Sequence, residues 1–233
     1  ANRPHLFEQA KQVIQAIGYQ VHLVKLEASG RALLSKGYIG KAEKHAIKNL
    51  KILKPFITQS IPIISLEPSV LSCFWDEYHK INQTDKGLTK QLSALSFSFG
   101  SFIYDCFEKQ EFQAEVFDQL DRKILLHTHC HEKALGDMDS ILKALSIPKN
   151  HIVQEVNSAC CGMAGSYGYQ KDNYEMSVKM AEVKLIPSIN EKSEQWIIVG
   201  QGVSCCHQME ELTQRKVWHP VEIFFKALRK TGA

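Results

Sequence analysis

Seven cysteines stand in the chain, at positions 73, 106, 130, 160, 161, 205 and 206. Five of them fall in three short stretches: HTHCHEKA (His127–Ala134), SACCGMAGSYG (Ser158–Gly168) and GVSCCHQ (Gly202–Gln208). Neighbouring Cα atoms lie about 3.8 Å apart, whereas disulfides prefer roughly 4.4–6.8 Å, so Cys160 and Cys161 are poor partners for each other. An odd cysteine count also argues against a disulfide framework. Soft thiolates select zinc, Cu(I) or iron–sulfur clusters. Cys130, Cys160, Cys161 and Cys205 are therefore candidate metal ligands, and Cys206 reads either as a ligand or as a ligand's neighbour. Gly162 can adopt positive φ, while Gly165 and Gly168 let backbone come close to a bound group, so these three read as cofactor-pocket residues. Exposed N–H groups in such a loop can donate to sulfur and tune a cluster.

Other chemistries compete with this one. A catalytic thiol at Cys160 or Cys161 would need one cysteine and a base, which the second pair, Cys205-Cys206, disfavours. No residue is assigned to proton transfer. The glycines at 162, 165 and 168, and at 200 and 202, do not form G-x-G-x-x-G between a strand and a helix, so a dinucleotide site is not indicated. Strand alternation puts His127 and His129 on one face beside Cys130. They, His131 and His207 read first as polar packing, with a ligand or supporting role as the alternative. Cys73 and Cys106 lie among Phe74, Trp75, Tyr104 and Phe107 and read as core.

The elements that must carry these loops alternate between strands and helices. A helix is expected over Leu6–Ile17, a strand over QVHLVKL (Gln20–Leu26) and an amphipathic helix over Gly40–Lys54. The lysines at 41, 44, 48 and 51 make a solvated face on that helix. PIISL (Pro62–Leu66) reads as a short strand, followed by a helix through Phe74 and Tyr78, and Ile81–Thr89 as a loop. The second half offers KILLHTH (Lys123–His129) as a strand and a helix near Ala134–Leu145. HIVQEV (His151–Val156) is the next strand. A helix over Tyr174–Leu185, WIIVG (Trp196–Gly200) as a strand and a helix around Val221–Leu228 complete it. Each cysteine group sits just past a strand. In parallel α/β sheets the carboxyl ends of strands share the edge where ligands bind, so the three groups can converge there.

The halves echo each other. Ala28-Ser29-Gly30 answers Cys160-Cys161-Gly162, Ser35-Lys36-Gly37 answers Ser166-Tyr167-Gly168, and Ser69-Val70 answers Ser204-Cys205, all at nearly one offset. The expected fold is thus α/β with two pseudo-repeated lobes, each a small parallel sheet flanked by helices. The first lobe, 1–120, is degenerate and shortened at its front; the second, 121–233, carries the metal-binding cysteines.

Length and composition bound the rest. The chain has 233 residues, 44% hydrophobic and 23% charged, as expected for a globular protein. A net charge of +3 announces no nucleic-acid partner, and no apolar run reaches the roughly 18 residues of a transmembrane segment. A secretory leader is not seen, which suggests a cytoplasmic protein. The chain does not begin with Met, so it reads as processed or as a piece of something longer.

The three cysteine stretches resemble the second motif of the cysteine-rich CCG domain. That domain occurs in a subunit of heterodisulfide reductase and in the iron–sulfur subunit of glycolate oxidase. It also occurs at the C-terminal end of FAD-linked 2-hydroxyacid dehydrogenases of the D-lactate type. GRALLSKG (Gly30–Gly37), LEPS (Leu66–Ser69) with DEY (Asp76–Tyr78), and HPVE (His219–Glu222) are most similar to the last group. The resemblance covers nearly the whole chain. It implies a domain, inactive alone, that relays electrons from a flavin site through bound iron–sulfur during oxidation of a 2-hydroxy acid such as D-lactate. It further implies FAD in a partner domain or subunit outside this chain, other iron–sulfur modules as partners, and either a cytoplasmic place or a peripheral one on the inner face of the membrane. The family pattern closes with C-x-x-C, whereas here the last cysteines are adjacent and Gln208 follows. The first lobe lacks motif cysteines, so at most one cluster fits. Zinc held by three cysteines and a histidine, in a structural or docking module without redox role, is the alternative.

Overall fold

In the computed structural model, which describes residues 3–158 and 160–229, the strands form two small parallel sheets flanked by helices. The first half runs α1 (His5–Ala16), α2 (Arg31–Ser35), α3 (Ile39–Thr58), β1 (Ile63–Ser65) and α4 (Pro68–Ser72). One turn of π-helix, Cys73–Glu77, leads to α5 (Tyr78–Lys80). Then come α6 (Lys86–Leu95), β2 (Ser96–Ser98) and α7 (Phe99–Glu108). The second half runs β3 (Arg122–His127), α8 (Cys130–Leu135), α9 (Met138–Leu145), β4 (His151–Glu155), α10 (Lys171–Glu182) and α11 (Leu185–Asn190). It closes with β5 (Trp196–Gly200), α12 (Val203–Thr213), β6 (Val217–Trp218) and α13 (Pro220–Ala227).

The smaller sheet pairs β1 with β2. The larger has the order β4-β3-β5-β6, parallel throughout. From β3 the chain crosses first to β4 on one side and then to β5 and β6 on the other. That reversal puts a topological switch point at the carboxyl ends of β3 and β5, where α/β sheets bind ligands. Strand alternation gives the sheet two buried faces. Ile124, Leu126 and Val199 enter one core with α1, α7, α9 and α13. Leu125 and Ile198 enter another, which also holds Cys161, Cys205 and Cys206. A third core, around Leu50, Leu53, Phe74, Tyr78 and Leu92, belongs to the first half.

The glycine turns of the two halves share a backbone geometry. Gly30 and Gly162 both adopt φ of 89°. A Cβ on Gly30 would lie 3.3 Å from Ala42 of α3, and one on Gly162 would lie 2.1 Å from the Ser177 carbonyl of α10. In each half a helix–strand–helix run follows this loop.

Three expectations change. Gln20–Leu26 forms no strand: Leu23 is 63% exposed, and the nearby backbone is satisfied by a side chain instead of a neighbouring strand. Asn49, fully buried on α3, accepts from Glu27 N at 2.9 Å and donates to Glu27 O at 3.3 Å. The loop placed over Ile81–Thr89 ends early, because Asp85 accepts from Leu88 N at 3.0 Å and starts α6. The single helix placed over Ala134–Leu145 is two, broken at Gly136, where Trp75 of the first half packs so closely that a Cβ would lie 3.2 Å from its ring.

Candidate metal centre

Cys130 opens α8, directly after β3; Cys160 and Cys161 follow β4; Cys205 lies in the first turn of α12, after β5. The three loops bring four thiols together at the sheet edge. Cys161 Sγ lies 3.1 Å from Cys205 Sγ. The Cys160 sulfur lies beside the Cys130 and Cys161 thiols, and Gly162 N donates to it at 3.3 Å. Cys161 and Cys205 are buried, while Cys130 and Cys160 are half-buried, so the group has a closed inner side and an outer side nearer solvent.

The electrostatics divide these thiols into two kinds. Cys160 is held well below the usual thiol range, first by the bond from Cys130 and then by that from Cys161. Cys205 is also held well below it, by the Cys161 thiol and then by the adjacent imidazoles of His127 and His129. Cys161 is pushed far up by its bonds to Cys160 and Cys205, and Cys130 by its bond to Cys160 and by burial. Thiolate is the form that binds metal, so metal would displace the thiol protons that remain.

Imidazoles complete the surroundings. His127, the last residue of β3, has its donor nitrogen within 4.8 Å of the sulfurs of Cys161 and Cys205, and those three donors form a buried group of the kind that holds a metal ion. His129 accepts from His131 N through Nδ1 at 3.1 Å and so starts α8. Burial disfavours its charged form, but the Cys205 sulfur beside it outweighs that and raises its pKa. Gly202 is small because His129 lies against it: a Cβ would stand 2.3 Å from the ring.

The remaining candidates have other places. Cys206 donates to the Gly200 carbonyl at 3.5 Å, with its pKa raised by burial, and makes no hydrogen bond to another thiol. Gly162 adopts the positive φ expected of it and donates to Cys160. Gly165 adopts φ of 71° in open space, so its need is conformational, not close approach. Gly168 packs on α10, where a Cβ would lie 2.4 Å from Ser177 Oγ. Cys73 and Cys106 are buried in the core, and burial pushes both thiols up to about 12. His207 is half-buried on α12 and bonds Tyr169 Oη at 2.7 Å.

Two residues escape sequence reading. Ser158 bonds His127 Nδ1 at 3.1 Å, and Glu67 accepts from Val203 N, in the first turn of α12, at 3.1 Å. Ser158 stands inside a cysteine stretch and carries a weak signal. Glu67 stands in the LEPS stretch of the other half, where nothing in the sequence points it at α12.

The donor set fits a soft metal: thiols dominate, Cys161 and Cys205 are buried, and His127 Nε2 is a buried nitrogen with no hydrogen-bond partner.

No family model matches the chain. Chains similar to it are dehydrogenase subunits or parts of dehydrogenases. A subunit of the anaerobic glycerol-3-phosphate dehydrogenase of Escherichia coli (strain K12) is 27% identical over 230 residues, 97% of this chain and 56% of that protein. D-2-hydroxyglutarate dehydrogenase of Pseudomonas putida is 26% identical over 212 residues, 89% of this chain but 19% of the relative. The protein of the same name from Escherichia coli (strain K12) is 23% identical over 219 residues. The chain thus spans about half the length of the first relative and a fifth of the others. Similarity to redox subunits, with a buried Cys/His group, is consistent with an oxidoreductase domain of the iron–sulfur type. No helix among the described residues is long and apolar enough to cross a membrane.

Proposed function

We propose that this chain is the metal-binding electron-relay unit of a dehydrogenase that oxidises a secondary alcohol, a 2-hydroxy acid in particular. The observation that carries the reading is the convergence of Cys130, Cys160, Cys161 and Cys205 from three loops onto one sheet edge. The relatives support it: glycerol 3-phosphate and 2-hydroxyglutarate are both named in theirs, and both carry a secondary alcohol. D-lactate is one member of the 2-hydroxy acid class. An iron–sulfur cluster, when bound, supplies one-electron transfer. The four cysteines would hold it, Gly162 would donate to it, and Cys206 would pack the helix behind it. Flavin chemistry would belong to an FAD-binding domain or subunit outside this chain, with other iron–sulfur modules as further partners. The duplication supports a division into halves at 1–120 and 121–233.

One observation favours a second reading. Cys161 and Cys205 stand 3.1 Å apart, and three donors fit within 4.8 Å. Ligands of a single tetrahedral ion, at about 2.0–2.3 Å from it, crowd in this way, whereas a cubane spreads its ligands over four irons. A zinc site without redox role would have this shape.

Metal and acid-labile sulfide analysis of the chain purified without oxygen separates the two, with Cys160→Ser as control. Iron with sulfide, lost in the variant, is expected. Zinc alone near one per chain would replace the relay with the structural reading, and no metal at all would remove both.

A further inference from the structure

We infer that His127 is itself a ligand of this centre, through Nε2, so that the site is a mixed sulfur–nitrogen one. This deepens the metal-binding reading above and rests on it. His127 ends β3, and its ring is 2% exposed at the carboxyl edge of the sheet. A buried imidazole normally satisfies both nitrogens. Here Nδ1 bonds Ser158 Oγ at 3.1 Å, and Nε2 has no partner. In the tautomer whose Nδ1–H donates to Ser158, Nε2 turns its lone pair to the site, the ring sits beside the Cys205 sulfur that it helps hold low, and its donor atom lies within 4.8 Å of the Cys161 and Cys205 sulfurs. Metal-bound histidines are commonly held this way, by a hydrogen bond at the far nitrogen that sets tautomer and ring angle. Ser158 is buried and tied at both ends: its N donates to Val156 O at 2.7 Å and its O accepts from Lys133 Nζ at 3.0 Å.

The neighbouring side chains are less suited. His129 spends Nδ1 on capping α8. His131 also has an unpartnered Nδ1, but its ring is only half-buried, and it is not part of the compact donor group. Gln208, one turn beyond Cys205, donates to Ser177 Oγ at 3.0 Å. A neutral imidazole in place of a thiolate leaves the bound group one unit less negative. Where the metal is iron, that raises its reduction potential, as histidine-for-cysteine exchange does in iron–sulfur centres generally.

X-ray absorption at the edge of whichever metal the full chain binds tests this, because imidazole scattering is distinct from sulfur's and is read for iron and zinc alike. The expected wild-type shell contains one nitrogen with imidazole outer-shell scattering. His127→Ala should lose that signal and weaken metal binding by more than the roughly 10- to 100-fold that losing a ligand's hydrogen-bond partner costs, while His129→Gln should keep it. Should His127→Ala fold poorly, His127→Cys serves instead: an all-sulfur shell and, with iron, a lower midpoint potential are expected. A wild-type shell of sulfur alone, or a nitrogen signal that survives His127→Cys, would overturn the inference and leave the metal-binding reading intact. A wild-type chain without metal would overturn both.

Discussion

His219 accepts from Val221 N through Nδ1 at 3.1 Å and donates through Nε2 to the Leu66 carbonyl at 3.0 Å. The first bond requires the neutral ring, whereas the second would survive protonation. Burial lowers its pKa from 6.5 to about 4, although the Leu66 carbonyl and Glu222 pull the other way. The unfolded chain therefore takes up a proton between pH 6.5 and 4 that the folded chain refuses. Stability from this residue is complete above pH 6.5 and is lost as pH falls through that window, on the order of 3 kcal/mol in all. His219→Gln should flatten the pH dependence of the urea midpoint between pH 7 and 4.5 relative to wild type. Equal slopes in the two proteins would assign the dependence to carboxylates instead. This residue was legible only as part of the HPVE motif. Its pairing with Leu66, across the two halves, was not. The cysteines were legible because thiols are rare and their spacing after strands has few meanings. Gly162 was legible because a positive φ suits glycine; the close packing of Gly168 on Ser177 depends on a neighbour that spacing does not reveal.

Helix α12 carries Cys205 and begins at Gly202, which has no side chain to cap it. The cap comes from the other half: Glu67, between β1 and α4, accepts from Val203 N at 3.1 Å. Its neighbour Leu66 takes the His219 bond at the start of α13, so one short turn of the first half holds the beginnings of two helices of the second. Removing a cap costs about 1 kcal/mol, which corresponds to a roughly fivefold change in a local opening equilibrium. Glu67→Ala should therefore speed amide exchange over Val203–Cys206 about fivefold and leave α9 unaffected, with Glu67→Gln between the two. Unchanged exchange at Val203–Cys206 would show the contact to be incidental. The strands of the second half were readable because continuous apolar runs such as ILL and WIIV, bounded by turn residues, have few alternatives. Ser96–Ser98 was not, being three residues with two serines, whereas the helical stretch around Tyr104 and Phe107 was, and it extends back as α7 through Gly100. That glycine serves packing: a Cβ would lie 2.0 Å from the Ile141 side chain. Gln20–Leu26 had the alternation of a strand but no neighbour to pair with, and pairing is what a strand needs.

The core of the whole molecule does not divide where the echo in the sequence would place a boundary. That echo predicts a division after residue 120, yet the core on one face of the larger sheet is completed by elements from before it. Leu6, Val13 and Ile14 of α1 and Phe99, Phe102 and Ile103 of α7 cover Ile124, Leu126, Ile141, Val221 and Phe224. Arg3 adds a polar tie, pairing with Glu210 of α12 at 2.7 Å and donating to Val217 O at 2.9 Å. Burying one such side chain contributes about 1.5–3 kcal/mol. Uncovering those five would cost roughly 10 kcal/mol, comparable to the 5–15 kcal/mol that holds a typical domain together. A chain reduced to 121–233 should therefore fail to fold as a stable monomer even though it keeps every candidate ligand. The full chain should unfold with its near- and far-ultraviolet circular dichroism changing together. A cooperative melt from the 121–233 segment, with a native-like spectrum, would make the two halves independent units and reduce α1 and α7 to an added cover. Failure of that segment would give the first half a purpose at the site: it supplies the packing, and through Glu67 and Leu66 the contacts at two helix starts, that set the four thiols in place.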